Sequence, residues 1–171
     1  MLAVNLWGVI HGTKEFLPHL IDSGDGQVVN ISSLNGFLAQ PGMSAYCTAK
    51  FGVRGFTEVL RAEVARDRLP VRIMVVHPGG VRTNIATAAL CRAAEQGEPV
   101  TDADEKATRF YNEKLLRMDP AEAAGIILDA VAAGRSRVLV GADARAVDTL
   151  VRMLPARAPR VAAWLDRRVR P

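Results

Sequence analysis

Residues 27–32 read QVVNIS and residues 71–80 read VRIMVVHPGG. Each is a short β-branched, apolar run bounded by turn-forming residues, which is the pattern of a buried β-strand. We expect the second strand to cover residues 71–76 and to stop at Pro78. Between the two runs, residues 44–66 have the spacing of a long helix. A strand, a helix and a strand in this order predict a parallel βαβ unit.

The flanking sequence extends the same alternation. Residues 2–20 favour a helix, residues 119–134 begin with a capping Asp and a Pro and favour another, and residues 137–141 favour a third strand. Residues 84–118 are polar and show no clear strand, and residues 145–171 are basic and helical. We therefore predict an α/β fold with a doubly wound parallel sheet, in one domain over residues 1–171.

The sequence also predicts the core-facing residues of one helical segment and the breaks in another. For residues 44–66 we expect Cys47 to be a small core residue, and we expect one core-facing set: Phe51, Phe56, Val59, Leu60 and Val64. For the C-terminal segment we expect the helix to break at Pro155 and at Pro159.

Composition excludes several classes of protein. Of the 171 residues, 49% are hydrophobic and 23% are charged, which indicates a globular core rather than disorder. The net charge is only +4, without the basic stripe and stacking aromatics of a nucleic-acid site. The cysteines, Cys47 and Cys91, predict neither a disulfide framework nor a metal site. Without a long apolar run or a secretory signal, we expect a cytoplasmic protein.

The sequence YCTAK at 46–50 carries the strongest chemical signal. Tyr46 and Lys50 are four residues apart on a predicted helix and share a face. A fixed ammonium nearby favours the phenolate form of a tyrosine, and such a pair can exchange a proton with an alcohol or carbonyl oxygen. Taken alone, the same spacing also fits two unrelated surface residues.

Two further signals lie at the carboxyl ends of predicted strands, where open α/β sheets bind ligands. Ser33 lies thirteen positions before Tyr46 and fits either a substrate-binding hydroxyl or a capping serine. The sequence PGGVRT at 78–83 fits either a ligand-side loop or an ordinary turn. His77, just before that loop, fits either a substrate contact or a neutral structural histidine.

Together these segments closely resemble the short-chain dehydrogenase/reductase family. The resemblance rests on four motifs in order and covers at least residues 1–141: NLWG at 5–8, NISS at 30–33, YCTAK at 46–50 and PGGVRT at 78–83. It implies an NAD(P)-dependent oxidoreductase that moves a hydride between NAD or NADP and a small carbonyl or alcohol substrate.

The resemblance also implies a role for each matching residue. Tyr46 would be the general acid/base, and Ser33 would orient the substrate oxygen. Lys50 would stabilise the phenolate of Tyr46 and bind the nicotinamide ribose, and Asn5 would hold a water that links Lys50 to solvent. The cofactor-binding set would be Tyr46, Lys50, Pro78, Gly79, Val81 and Thr83. Residues 84–118 would form the substrate lid.

The sequence departs from the family at its N-terminal side. The Gly-x-x-x-Gly-x-Gly turn that holds a pyrophosphate is absent from the 171 residues. We therefore expect a partial Rossmann fold that lacks the N-terminal βα units, a truncated chain whose activity is in doubt. The choice between NAD and NADP depends on residues that this sequence does not contain.

Two expectations concern partners. The family usually forms homo-oligomers through helices that correspond here to residues 2–20 and 44–66, so a non-catalytic subunit-interaction module is an alternative function. The end of this tail, residues 157–171, carries five arginines, with apolar residues at helical spacing between them: Arg157, Arg160, Arg167, Arg168 and Arg170. It fits either contact with an anionic membrane surface or, as we favour, a solvated or partner-packed helix.

Overall fold

A three-stranded parallel sheet forms the centre of the protein. The computed structural model describes the backbone of residues 1–169 and the side chains of residues 1–167. In this part of the chain the strands are β1 (Gly26–Ile31), β2 (Val71–Pro78) and β3 (Arg137–Val140), in the order β1-β2-β3. The predicted parallel sheet is confirmed. Strand β2 runs two residues further than predicted because its last residues, His77 and Pro78, still pair with β3.

Helices connect and cover the strands. A π-helical turn at Ala3–Trp7 leads into the first helix, and a 3-10 turn at Leu34–Gly36 follows β1. The α-helices are α1 (Gly8–Asp22), α2 (Ser44–Arg66), α3 (Ile85–Glu95), α4 (Asp102–Phe110), α5 (Pro120–Ala132), α6 (Ala142–Met153) and α7 (Ala158–Val169). Helix α5 starts as predicted, because the Asp119 carboxylate accepts a hydrogen bond from Ala121 N at 2.9 Å.

Apolar clusters lie on both faces of the sheet, which makes it doubly wound. Helices α1 and α2 cover one face through a cluster that includes Val28, Val64 and Ile73, and α5 covers the other through a cluster that includes Met74 and Val138. A third cluster joins the loop after β1 to α6 and α7. Strand β2 is buried on both faces, as its nearly continuous apolar sequence predicted.

The predicted core face of α2 is partly wrong. Leu60 and Val64 are buried, but Phe51 is 42% exposed and Val59 is 58% exposed. The buried stripe consists instead mostly of small residues: Cys47, Ala49, Val53, Thr57, Leu60 and Val64. Phe51 is two residues from both Ala49 and Val53, which is about 200° around a helix, so it falls on the side opposite the buried stripe. Cys47 is a buried core residue, as predicted.

The C-terminal segment differs from its prediction at one proline. The chain breaks between α6 and α7, around Pro155, but Pro159 lies in the first turn of α7. A proline is accepted there because the first amide groups of a helix have no intrahelical partner. The predicted tail arginines Arg168 and Arg170 lie outside the described side chains. Among the described helices, none combines the length and apolar character needed to cross a membrane.

A buried chain of polar side chains ties α1, β1 and α2 together. The Asn30 side chain on β1 accepts a hydrogen bond from Thr13 Oγ1 at 3.4 Å and donates to Thr57 Oγ1 at 3.1 Å. Thr57 Oγ1 in turn donates to Val53 O at 2.6 Å. These bonds satisfy polar groups that would otherwise be costly to bury between the sheet and its helices.

We expect Thr57→Val to lower the free energy of unfolding by about 1–3 kcal/mol, because it leaves the buried Asn30 amide without its acceptor. The matched control is Thr149→Val, since exposed Thr149 makes the same type of bond, to Arg145 O at 3.0 Å, where water can replace it. Urea unfolding of both variants measures the difference. Equal losses would contradict a specific role for the buried chain.

Candidate active site

Ser33 lies immediately beyond the carboxyl end of β1. Ser32 N donates to Val76 O at 2.8 Å and continues the ladder with β2 by one residue. Ser33 then caps the 3-10 turn, because its Oγ accepts a hydrogen bond from Asn35 N at 3.1 Å. Since this bond uses a lone pair of the oxygen, the hydroxyl hydrogen remains able to donate to a ligand oxygen.

Tyr46 and Lys50 lie in the first two turns of α2 and share a face, as predicted. Lys50 Nζ is 5.7 Å from the centre of the Tyr46 ring. The same Nζ donates to Ile31 O at 3.0 Å, at the end of β1. Partial burial lowers the pKa of the Lys50 ammonium. These contacts place the Lys50 charge between the tyrosine and the strand end that carries Ser33.

A second bond fixes the helix to the strand end. Ser32 Oγ donates to Lys50 O at 2.8 Å. The loop passes so close to α2 here that a Cβ on Gly36 would lie 2.9 Å from Lys50 O, which explains the glycine. Ser33, Tyr46 and Lys50 are therefore brought to one edge of the sheet by contacts that involve their immediate neighbours.

Sequence reasoning missed the residue that orders the loop between β1 and α2. The Asn35 side-chain amide donates to Gln40 Oε1 at 2.8 Å and to Leu38 O at 3.3 Å, and it lies 3.6 Å from Cys47 Sγ. Asn35 thus links the serine turn to the start of the helix that carries Tyr46. The only sequence signal was an asparagine three residues after the predicted strand, a residue type that bonds readily to nearby backbone.

The predicted cofactor-side loop begins where β2 ends. Pro78 is the last residue of β2, and Gly79 N donates to Val140 O of β3 at 2.8 Å. His77 Nδ1 lies 2.9 Å from Ser33 O, so the ends of β1 and β2 are joined directly. The loop therefore starts at the same edge of the sheet as Ser33. His77 itself is fully buried, which favours its structural interpretation.

Asp143, which the sequence analysis did not identify, holds the next part of this loop. Gly80 N donates to Asp143 Oδ2 at 2.6 Å, from the loop to the first turn of α6. Val81 forms an isolated parallel bridge with Met118, and Thr83 is exposed. The loop is thus held on both sides up to Val81, while the hydroxyl of Thr83 is accessible.

The predicted lid, residues 84–118, contains α3, α4 and a π-helical turn at Tyr111–Leu115. Its two ends lie side by side: Arg82 N donates to Met118 O at 2.8 Å, and Arg82 Nη2 lies 2.6 Å from Asp119 Oδ2. The segment therefore leaves and rejoins the domain at one place, next to the candidate site. Its function as a lid remains a prediction.

Asn5 lies in the π-helical turn that precedes α1. Its side-chain amide donates to Met1 O at 3.3 Å and lies 3.2 Å from Met1 Sδ. The neighbouring Leu6 packs against Gly52, where a Cβ would lie 2.8 Å from Leu6 Cδ1, so this turn borders α2 two residues beyond Lys50. The role of Asn5 in a water relay to Lys50 remains a prediction.

The donors at this edge fit a nicotinamide nucleotide. An ammonium has three hydrogen-bond donors, and Ile31 O takes one of those of Lys50. The half-buried position of Lys50 leaves the others for ribose hydroxyls, and the exposed Thr83 hydroxyl lies on the loop that follows β2. The loop that carries Thr83 begins after Pro78, the last residue of β2, and includes Gly79 and Val81.

Comparison with known proteins agrees with this geometry. Residues 1–92 match the short chain dehydrogenase family. A Mycobacterium tuberculosis protein named as an oxidoreductase, SadH, is 47% identical over 90% of this chain and 53% of its own length. Rat mitochondrial D-beta-hydroxybutyrate dehydrogenase is 36% identical over 68% of this chain and 35% of its own length. The chain thus spans about half, or less, of the length of these relatives.

A solved short-chain dehydrogenase/reductase from Burkholderia phymatum, in complex with NAD, has the same fold with a TM-score of 0.75. It is 24% identical, and the match covers 89% of this chain and 56% of that one. The predicted partial Rossmann fold is therefore confirmed. On the match of more than half its residues to the family, and on the fold they share, the chain belongs to the short-chain dehydrogenases.

Proposed function

We propose that this chain carries the catalytic residues of an NAD(P)-dependent oxidoreductase that acts on a carbonyl or alcohol group. The observation that carries the proposal is the attachment of α2 to the carboxyl end of β1, through the bonds from Lys50 Nζ to Ile31 O and from Ser32 Oγ to Lys50 O. The Tyr46 ring centre lies 5.7 Å from Lys50 Nζ, and Ser33 directly follows Ser32. The family membership of the chain and its oxidoreductase relatives support the proposal.

Each side chain has a distinct task in this proposal. The Ser33 hydroxyl donates to the substrate oxygen. Its bond with Asn35 N uses a lone pair and leaves the hydroxyl hydrogen free for this purpose. Tyr46 gives a proton to that oxygen during reduction and removes it during oxidation. The Lys50 ammonium near the Tyr46 ring stabilises the phenolate form, since an opposite charge at short range favours ionisation.

A bound nicotinamide supplies or accepts the hydride. In our proposal Lys50 and Tyr46 bind its ribose side, and the loop residues Pro78, Gly79, Val81 and Thr83 hold its ring and phosphate side. Solved relatives of the same fold were crystallised with NAD in one case and with NADP in another, from Burkholderia cenocepacia. The proposal covers both cofactors.

We also propose that the protein forms a homo-oligomer through the first helix and α2. This is supported by large apolar side chains that both helices leave exposed: Leu2, Val4, Trp7, Phe16, Phe51 and Val59. Exposed apolar patches of this kind are typical of protein–protein contacts.

The test supplies a part of the relatives that lies outside their match to this chain. We would join the N-terminal half of the Mycobacterium tuberculosis relative to Met1, and we call the product the joined protein. NADH and NADPH oxidation would be followed by absorbance with a panel of aldehydes and ketones. The absence of cofactor oxidation with every substrate, in a folded joined protein, would refute the proposal.

In the joined protein we expect Ser33→Ala to lower kcat by ~10²-fold, the usual effect of removing one donor to a reacting oxygen, with the cofactor Kd unchanged. The matched control is Ser23→Ala, because Ser23 is exposed after α1 and its hydroxyl bonds only to Leu20 O among the described contacts. Ser23→Ala is expected to retain wild-type turnover. An equal kcat for both variants would remove Ser33 from the mechanism.

A further inference from the structure

The imidazole of His77, a residue of β2, holds the backbone of Ser33. The β1–β2 ladder ends with Ser32 N and Val76 O, so the backbone of Ser33 has no ladder partner on β2. His77 Nδ1, 2.9 Å from Ser33 O, takes the place of that missing partner. The side chain is fully buried, so no water competes for the bond.

The chemistry of this contact fixes the tautomer of the ring. A carbonyl oxygen only accepts hydrogen bonds, so Nδ1 carries the proton and Nε2 does not. Burial lowers the pKa of His77 to about 4, which keeps the ring neutral at physiological pH. Nε2 is buried and has no hydrogen-bond partner among the described residues. Among the described residues, the one hydrogen bond of the ring is therefore the bond to Ser33 O.

Ser33 O accepts two bonds with different consequences. Gly36 N donates to it at 2.9 Å from within the same turn, and this bond moves with the loop. The bond from His77 comes from β2 and connects the turn to the sheet. The ring itself is held edge-on against Phe37, with 5.1 Å between the ring centres, and Phe37 belongs to the cluster that α7 completes.

We propose that His77 is a positioning residue that sets the direction of the Ser33 hydroxyl by anchoring the Ser33 carbonyl to β2. The proposal rests on the proposed function, in which Ser33 donates to the substrate oxygen. If the anchor is lost, the turn can shift relative to Tyr46, and small misplacements of a reacting group reduce turnover strongly. A histidine with only a structural role would affect stability without a specific loss of turnover.

The test compares three replacements in the joined protein. His77→Asn keeps a donor at the position of Nδ1, His77→Gln moves it to the position of Nε2, and His77→Leu removes it. We expect kcat to fall about 10- to 100-fold in the Leu and Gln variants and to be largely restored in the Asn variant. The cofactor Kd, measured by nicotinamide fluorescence, is expected to stay unchanged in all three.

A double-mutant cycle then separates positioning from stability. In a Ser33→Ala background the His77→Leu change is expected to cost little further kcat, because the hydroxyl that it positions is gone. If the fold-losses in kcat of the two single variants multiply in the double variant, the proposal is overturned. If the Leu variant does not fold, the Asn and Gln variants decide, and equal kcat values for these two would overturn it.

The failure of the proposed function has a different signature. In that case Ser33→Ala and Tyr46→Phe would themselves leave kcat unchanged. If those two changes lower kcat as expected but all His77 variants match the wild-type kcat, the proposed function stands and the positioning role of His77 is refuted.

Discussion

In the joined protein, Tyr46→Phe is expected to lower kcat by ~10²–10⁴-fold, the contribution of a general acid/base to proton transfer. This corresponds to about 3–5 kcal/mol of transition-state stabilisation. The change removes only the hydroxyl, so the ring that lies 5.7 Å from Lys50 Nζ and the packing around it remain. Steady-state rates with the best carbonyl substrate measure the effect.

The cofactor Kd is the internal control for Tyr46→Phe. Tyr46→Phe removes one neutral hydrogen bond to the ribose, worth about 0.5–1.5 kcal/mol, while Lys50 and the loop after β2 remain in place. We therefore expect the Kd for NAD(P)H to rise by about tenfold at most. A variant that keeps more than about a tenth of the wild-type kcat would contradict the assignment of Tyr46, since the smallest expected effect is ~10²-fold.

Lys50→Met is expected to reduce two quantities together. Turnover falls because the phenolate of Tyr46 loses the nearby ammonium, and cofactor affinity falls because the ribose loses its charged donor. A hydrogen bond to a charged group contributes roughly 1.5–3 kcal/mol, so we expect Kd to rise about 10- to 100-fold. Steady-state kinetics and fluorescence titration of the same preparation give both values.

The control for this variant is Lys14→Met, which removes the same charge from an exposed position on α1. It is expected to change neither kcat nor Kd. If Lys50→Met lowered kcat alone, the proposed contact of Lys50 with the cofactor would be wrong. If it weakened cofactor binding alone, its proposed action on Tyr46 would be wrong.

The strands and the long helix were predictable because their signals are local. Apolar β-branched runs set β1 and β2, and helical spacing set α2, whose observed bounds are those predicted. The buried face of α2 was less predictable, because apolar residues occur on several sides of this helix and the contact with the sheet decides which side is buried. Pro159 misled for a related reason: its effect depends on its position within a helix, which local sequence does not specify.

The places of Ser33, Tyr46 and Lys50 in the fold were predictable, but the contacts that hold them were not, and their roles remain predictions. Spacing on one helix face pairs Tyr46 with Lys50, and the strand end places Ser33. The anchoring contacts of His77, Asn35 and Asp143 depend on how distant segments meet. Gly80 N, for example, meets a carboxylate 63 residues further along the chain. No periodicity or motif in the sequence predicts such a contact.

The pairing of both ends of the segment at 84–118 has an evolutionary consequence. Its entry and exit are joined by the Val81–Met118 bridge and by the ion pair between Arg82 and Asp119. The distance that the segment must span is therefore fixed by its base and not by its length, and lengthening such a loop costs little chain entropy. We therefore expect its helices to differ in length and sequence between relatives while Ser33, Tyr46 and Lys50 keep their places.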